Sequence, residues 1–102
     1  MPQPTFVPMF TFGLDLGEMN DYTALAIVKD CPAEIFAPAS TAIPAHVELV
    51  HLDRPKLGTP YTRIASGVRA RITMGTFAGR SELVVDATGV GRAVELYLCL
   101  WF

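Results

Sequence analysis

Residues 10–17 read Phe10-Thr11-Phe12-Gly13-Leu14-Asp15-Leu16-Gly17 and alternate between two kinds of side chain. Large apolar residues occupy every second position, whereas threonine, glycine and one aspartate occupy the positions between them. Successive side chains of a β-strand point to opposite faces, so this period of two predicts a strand with one apolar face. The other face is nearly free of bulk around the carboxylate of Asp15.

A second aspartate follows an apolar stretch late in the chain, in Leu83-Val84-Val85-Asp86-Ala87-Thr88-Gly89-Val90-Gly91. The stretch predicts a strand over residues 82–86, and its apolar composition favours a central position with both faces buried. A carboxylate within an apolar strand is costly unless something neutralises it, and a divalent cation is a common solution. Asp15 and Asp86 are therefore candidate ligands of one ion site. As an alternative, Asp86 caps a following helix.

The remaining elements are predicted from periodicity and turn residues. Strands are expected over residues 9–17, 23–29 and 46–53, the first two as an antiparallel hairpin, with an irregular loop over residues 31–45. Thr59 is expected to cap a helix whose first residue is Pro60. One apolar stripe predicts that helix, and another predicts a final helix after Asp86. The first stripe consists of Tyr61, Ile64, Ala65, Val68 and Ile72. The second consists of Val90, Ala93, Val94, Tyr97 and Leu98.

The element order β-β-β-α-β-α predicts an α/β fold with a mixed sheet. A helical crossover returns the fourth strand parallel to the first, so both aspartates are expected at one ion site. Two close negative charges raise each other's pKa, which we expect for both carboxyls in the empty site. Residues 1–8 contain three prolines and are predicted to form a linker or arm, with one domain over residues 9–102.

Composition limits the partners and the compartment. The chain has 102 residues, 51% of them hydrophobic, and a net charge of −2, so nucleic acid would have to meet a local basic patch. The candidate residues for such a patch are Arg63, Arg69, Arg71, Arg80 and Arg92. No signal peptide is evident and the apolar tail is too short to cross a membrane, which favours the cytoplasm.

The cysteines and histidines show no zinc spacing. Cys31 and Cys99 are isolated in the sequence, which predicts reduced thiols and no structural zinc. His46 and His51 lie on one predicted strand at an odd separation, so we expect them on opposite faces, unable to share a metal.

The order of elements, with one acid on the first strand and one on the fourth, resembles the ribonuclease H-like fold. Gly13-Leu14-Asp15-Leu16-Gly17, followed by Asp21-Tyr22-Thr23-Ala24, and the later stretch from Val85 to Gly91 are similar to the nuclease domain of phage terminase large subunits. The resemblance covers about residues 10–100.

This resemblance implies a DNA nuclease of phage or prophage origin acting in the bacterial cytoplasm. It implies that Asp15 and Asp86 hold two Mg²⁺ or Mn²⁺ ions, with Asp21 as a supporting ligand, and that the partners are DNA and an ATPase motor domain or subunit. Glycines are expected to let metal and phosphate approach the backbone; these are Gly13, Gly17, Gly89 and Gly91.

The chain departs from the family pattern in two respects. The family's third acid follows a fifth strand, which this sequence ends too early to contain, so we expect a partial domain without the fifth strand and last helix. The phosphate-binding motif of the packaging ATPase is also missing from the sequence.

Two alternative functions remain open. An actin-like or sugar-kinase-type ATPase shares this strand order, but Glu18 puts negative charge where a phosphate would bind. The other alternative is a truncated, non-catalytic interaction module. It would associate with itself through an apolar C-terminal helix that ends in Leu98-Cys99-Leu100-Trp101-Phe102.

Overall fold

The strands and helix form an α/β fold with one mixed sheet in the order β3-β2-β1-β4. The computed structural model describes residues 7–18, 20–35 and 42–88. The elements are β1 (Phe10–Asp15), β2 (Ala24–Cys31), β3 (His46–Asp53), α1 (Tyr61–Ile72), a short 3₁₀ helix (Gly75–Phe77) and β4 (Ser81–Asp86). The predicted α/β class and element order are confirmed up to β4. The predicted final helix, with Gly89 and Gly91, and residues 1–6 of the predicted arm lie outside the described residues.

Strand β1 occupies the centre of the sheet because both of its edges are paired. It runs antiparallel to β2 and parallel to β4, which confirms the expected hairpin and the expected parallel return. Phe10, Phe12 and Leu14 are buried on the face that meets α1, where Ile64 and Val68 pack against them. We call this the helix face of the sheet, and the opposite one the open face.

The helix starts differently from the prediction. Pro60 occupies the N-cap position and not the first helical turn, and no side chain caps the helix. The Thr59 hydroxyl donates instead to the carbonyl of Lys56, inside the turn that precedes the helix. The helix ends at Ile72, just before the expected glycine-containing segment, in which Gly75 and Gly79 adopt positive φ angles that favour glycine. Among the described residues, no helix is long and apolar enough to span a membrane.

The prediction that β4 is buried on both faces is wrong. Leu83 and Val85 are half-buried on the helix face, but Glu82, Val84 and Asp86 are exposed, Val84 by 57%. Within the described part of the chain, β4 is the edge of the sheet, and no element covers its open face. Apolar composition alone does not distinguish this arrangement from a central strand.

A β-bulge in β3 overturns the prediction for the histidines. His51 pairs with Ile27 and Leu49 with the next residue, Val28, so Val50 has no partner on β2. The extra residue shifts the alternation of β3, and His46 pairs with Cys31. Ile27 and Cys31 lie an even number of residues apart on β2, so His46 and His51 lie on the same face of the sheet.

Candidate functional site

The two predicted acids occupy matching positions at the ends of two parallel strands. Asp15 of β1 and Asp86 of β4 are direct partners in the strand register, and the Leu16 amide donates to the Asp86 carbonyl at 3.0 Å. Neighbouring strands lie about 4.8 Å apart, and side chains of paired residues point to the same face. Asp15 and Asp86 therefore lie side by side on the open face.

A hydrogen bond between a second pair of register partners also places side chains of β1 and β4 together on the open face. The Thr11 hydroxyl donates to Glu82 Oε1 at 2.8 Å, and Thr11 and Glu82 are partners four positions before the two aspartates. The acid pair lies beyond this contact, at the carboxyl ends of both strands.

Both carboxylates of the acid pair are exposed. The expectation that burial in apolar strands makes a cation necessary is therefore wrong for these residues. The pKa of Asp86 is also lowered, because the hydroxyl and the backbone N–H of Thr88 donate hydrogen bonds to its carboxylate, against a smaller opposing effect of desolvation. The Thr88 amide lies 3.0 Å from Asp86 Oδ1. The expected increase in pKa is thus wrong for Asp86.

The contact between Asp86 and Thr88 also bears on the helix-cap alternative. An aspartate that accepts the N–H of the residue two positions later forms an Asx turn, which is also the geometry of a helix cap. The Asp86 carboxylate is therefore ionised and oriented by its own chain, with or without a metal ion.

The two described glycines near the acid pair differ in how much space they leave. A Cβ atom on Gly13 would meet only the Ala26 carbonyl oxygen, at 3.8 Å, an ordinary contact. Gly13 thus keeps the open face clear beside Asp15. A Cβ atom on Gly17 would instead collide with the backbone of Asp21 and Tyr22. The backbone of Asp21 and Tyr22 occupies the direction of a side chain at Gly17, so this glycine allows a close turn.

Asp21 lies in a different part of the surface. It lines a cleft of about 410 Å³ together with Glu18, Lys56 and the start of α1, whereas neither Asp15 nor Asp86 lines that cleft. Nor, within the described residues, does any third Cys, His, Asp or Glu donor join Asp15 and Asp86 closely enough to form a three-ligand group. The proposed supporting role of Asp21 has no contact that favours it.

The described arginines of the expected patch do not gather at the acid pair. Arg80 directly precedes β4, at the opposite end of that strand from Asp86. Arg63, Arg69 and Arg71 belong to α1, which covers the helix face and so lies on the other side of the sheet from the acid pair. Arg92 lies outside the described residues.

A second group of donors was not predicted. Cys31 Sγ, a ring nitrogen of His46 and a carboxylate oxygen of Glu48 all lie within 4.8 Å of one another. Strand pairing brings them together, because Cys31 pairs with His46 and Glu48 follows two positions later. Cys31 has no histidine at zinc spacing along the chain, but strand pairing places His46 beside it. The only signal in the sequence is the pairing of two strands across a loop.

Two members of this group have raised pKa values. The pKa of the Cys31 thiol is raised, first by desolvation and then by the negative charge of Glu48. The pKa of His46 is raised by its hydrogen bonds to the Pro44 carbonyl and to Glu48.

Comparison of the chain with protein-family models, with curated proteins and with solved structures finds no match in any of the three.

Proposed function

We propose that this chain is part of a ribonuclease H-like nuclease domain that hydrolyses phosphodiester bonds of DNA with Mg²⁺ or Mn²⁺. The observation that carries the proposal is the direct register pairing of Asp15 with Asp86 on neighbouring parallel strands. The sheet order β3-β2-β1-β4, with α1 between β3 and β4, supports the ribonuclease H-like part of the proposal.

The position of the acid pair is typical of ligand sites in α/β proteins. Ligands of open α/β sheets bind outside the carboxyl ends of strands, where neighbouring strands connect in different directions. Asp15 and Asp86 lie at the carboxyl ends of two neighbouring parallel strands, and the chain leaves β1 towards β2, on the side away from β4.

The donor set fits a hard cation. Mg²⁺ prefers oxygen ligands, keeps several water molecules and is usually held by one or two carboxylates. Two exposed carboxylates on adjacent strands meet these requirements, because their exposure leaves the remaining coordination positions to water and phosphate oxygens. Bound ions of this kind activate water for attack on phosphorus and stabilise the leaving oxygen.

The residues of the chain would contribute binding and orientation. Asp15 and Asp86 hold the cation, and the hydrogen bonds from Thr88 keep the Asp86 carboxylate ionised and fixed. Gly13 leaves the open face beside Asp15 free for the substrate backbone. The link to terminases, with an ATPase motor as partner and genome packaging as the process, belongs to the same proposal and rests on the motif resemblance.

The test combines metal binding with strand cleavage in the full chain. We would measure Mn²⁺ binding by electron paramagnetic resonance, and nicking of supercoiled DNA in Mg²⁺ and in Mn²⁺, for Asp15→Asn and Asp86→Asn. Glu82→Gln is the matched control, because Glu82 is an exposed acid on the same strand and face, bonded to Thr11.

The proposal expects both asparagine variants to lose Mn²⁺ binding and nicking, while Glu82→Gln keeps both. Nicking should fall by about a hundredfold or more, because a metal ion contributes several kcal/mol to the transition state and about 1.4 kcal/mol is a factor of ten. If the wild type binds Mn²⁺ through the acid pair but cuts no DNA, the metal site stands and the nuclease function is refuted. Nicking that survives in both asparagine variants refutes the site itself.

A further inference from the structure

We infer that Cys31, His46 and Glu48 form a binding site for a transition-metal ion, with Zn²⁺ as the best-suited ion, separate from the acid pair. The three donors lie within 4.8 Å of one another, on the last residue of β2 and the first residues of β3. The set contains sulfur, nitrogen and oxygen, whereas the acid pair offers oxygen alone.

The orientation of the His46 ring is the first argument. Its Nδ1 lies 3.0 Å from the Pro44 carbonyl oxygen, which can only accept a hydrogen bond, so Nδ1 carries a proton. Its Nε2 lies 3.4 Å from Glu48 Oε1, which is also an acceptor. A neutral imidazole has one N–H, so the side facing Glu48 requires a second proton or a cation. A metal-binding histidine commonly donates its other ring N–H to a backbone carbonyl, as His46 does.

The distances are the second argument. Zinc lies about 2.0–2.2 Å from nitrogen and oxygen ligands, and at a tetrahedral angle this places the two ligand atoms about 3.4 Å apart. His46 Nε2 and Glu48 Oε1 have this separation. A zinc ion could therefore bind both atoms without displacing either strand, and the thiolate of Cys31 would be the third ligand.

The surroundings leave space for a fourth ligand. The three residues line a cleft of about 610 Å³ with Lys29, Glu34 and Met9. Glu34 or a water molecule would complete four-coordination, and a site with three protein ligands and one open position is typical of catalytic zinc. On binding, the Cys31 thiol loses its proton to solvent and a Zn–S bond forms.

The choice of zinc follows from ligand type. Thiolate and imidazole are poor ligands for Mg²⁺ and good ones for Zn²⁺, and a single carboxylate is compatible with the latter. We therefore expect the two sites to bind different metal ions, Mg²⁺ or Mn²⁺ at the acid pair and Zn²⁺ at the Cys31 group.

Cobalt substitution of the full chain tests the inference directly. Co²⁺ bound to a thiolate gives a sulfur-to-metal charge-transfer absorption that an oxygen-only site cannot give, and Zn²⁺ should abolish it by displacement. We would titrate the metal-free protein with Co²⁺ and then Zn²⁺ in the wild type, Cys31→Ser, His46→Ala and Glu48→Gln. Cys99→Ser is the matched control, because it removes the other cysteine of the chain.

We expect the charge-transfer band in the wild type and in Cys99→Ser, and none in Cys31→Ser. Zn²⁺ affinity should fall by about a hundredfold or more in His46→Ala and by about tenfold or more in Glu48→Gln, since loss of an outer-shell partner alone costs 10–100-fold. Zn²⁺ should also raise the urea midpoint of the wild type but not of Cys31→Ser. Absence of the band in the wild type, or its loss in Cys99→Ser alone, overturns the inference. Glu48→Gln, which changes an exposed side chain, keeps the test valid if Cys31→Ser fails to fold.

Discussion

Replacing Gly17 with alanine should destabilise this protein far more than an ordinary glycine-to-alanine change. Two hydrogen bonds and one close backbone approach fix the position of Gly17. Its amide donates to the hydroxyl of the buried Thr23 at 3.1 Å, its carbonyl accepts from the Tyr61 hydroxyl at 2.6 Å, and the backbone of Asp21 and Tyr22 crosses over its Cα. A side chain at this position has no free direction in which to point.

The size of the effect follows from these contacts. A Cβ atom on Gly17 would lie 2.5 Å from the Tyr22 carbonyl oxygen and 2.6 Å from the Asp21 carbonyl carbon, whereas ordinary contact begins at 3.4 Å. Backbone must therefore withdraw by about 1 Å, and overpacking of this kind typically costs about 1–3 kcal/mol. The movement also strains two hydrogen bonds that contribute about 0.5–1.5 kcal/mol each. We expect a loss of about 2–4 kcal/mol in the free energy of unfolding, a large fraction of the stability of a small domain.

Urea unfolding followed by far-ultraviolet circular dichroism is the assay, and Gly67→Ala is the matched control. Gly67 lies within α1, and a Cβ atom there meets nothing within 4 Å. The same substitution should stabilise the protein at that position by about 0.5–1 kcal/mol, because alanine loses less entropy than glycine in a helix. The two variants should shift the unfolding midpoint in opposite directions. If Gly17→Ala is as stable as the wild type, the close approach of residues 21 and 22 does not exist.

Two further substitutions test the open face. Gly13→Ala should change the free energy of unfolding by no more than about 0.5 kcal/mol, because its Cβ atom meets only the Ala26 carbonyl oxygen at 3.8 Å; unfolding in urea checks this, and a larger loss contradicts the described space beside Asp15. Thr88→Ala should raise the pKa of Asp86 towards its ordinary value by removing the hydroxyl and keeping the backbone N–H. A lowered pKa stabilises the fold above the unfolded-state pKa, and this contribution is lost as the pH falls through the folded-state value, so the variant should depend less on pH in the acid range. Carbon-detected NMR titration of the Asp86 carboxyl measures the pKa, and an unchanged value would show that Thr88 does not lower it through its hydroxyl.

Much of the sheet can be predicted from the sequence because its signals are local. The alternation from Phe10 to Gly17 predicts β1, and the stripe from Tyr61 to Ile72 predicts α1, although the expected cap at Thr59 and first residue at Pro60 are wrong. The parallel pairing of β1 with β4 follows from the helical crossover, and with it the adjacency of Asp15 and Asp86 is confirmed. Whether these acids bind metal stays a prediction.

The errors come from contacts that no local pattern encodes. The apolar residues of β4 do not reveal whether another element covers them, so Val84 is exposed where burial was expected. The two aspartates raise the same difficulty. Their exposure depends on whether another element covers them, and the pKa of Asp86 depends on hydrogen bonds from Thr88 that the strand pattern does not specify. The Cys31 group depends on the register of two strands joined across a long loop, which spacing in the sequence does not specify.

The unpaired Val50 is a position at which β3 could lose a residue without a change of strand register. Loss of one codon at this point would leave a strand that pairs regularly with β2, and every residue before it would keep its partner and its face of the sheet. His46 would still pair with Cys31 and Glu48 with Lys29, so the three donors would stay on one face of the sheet. A single in-frame deletion could thus remove the bulge while the sheet keeps its order and the Cys31 group its three donors, so related chains could differ in length here without losing the group.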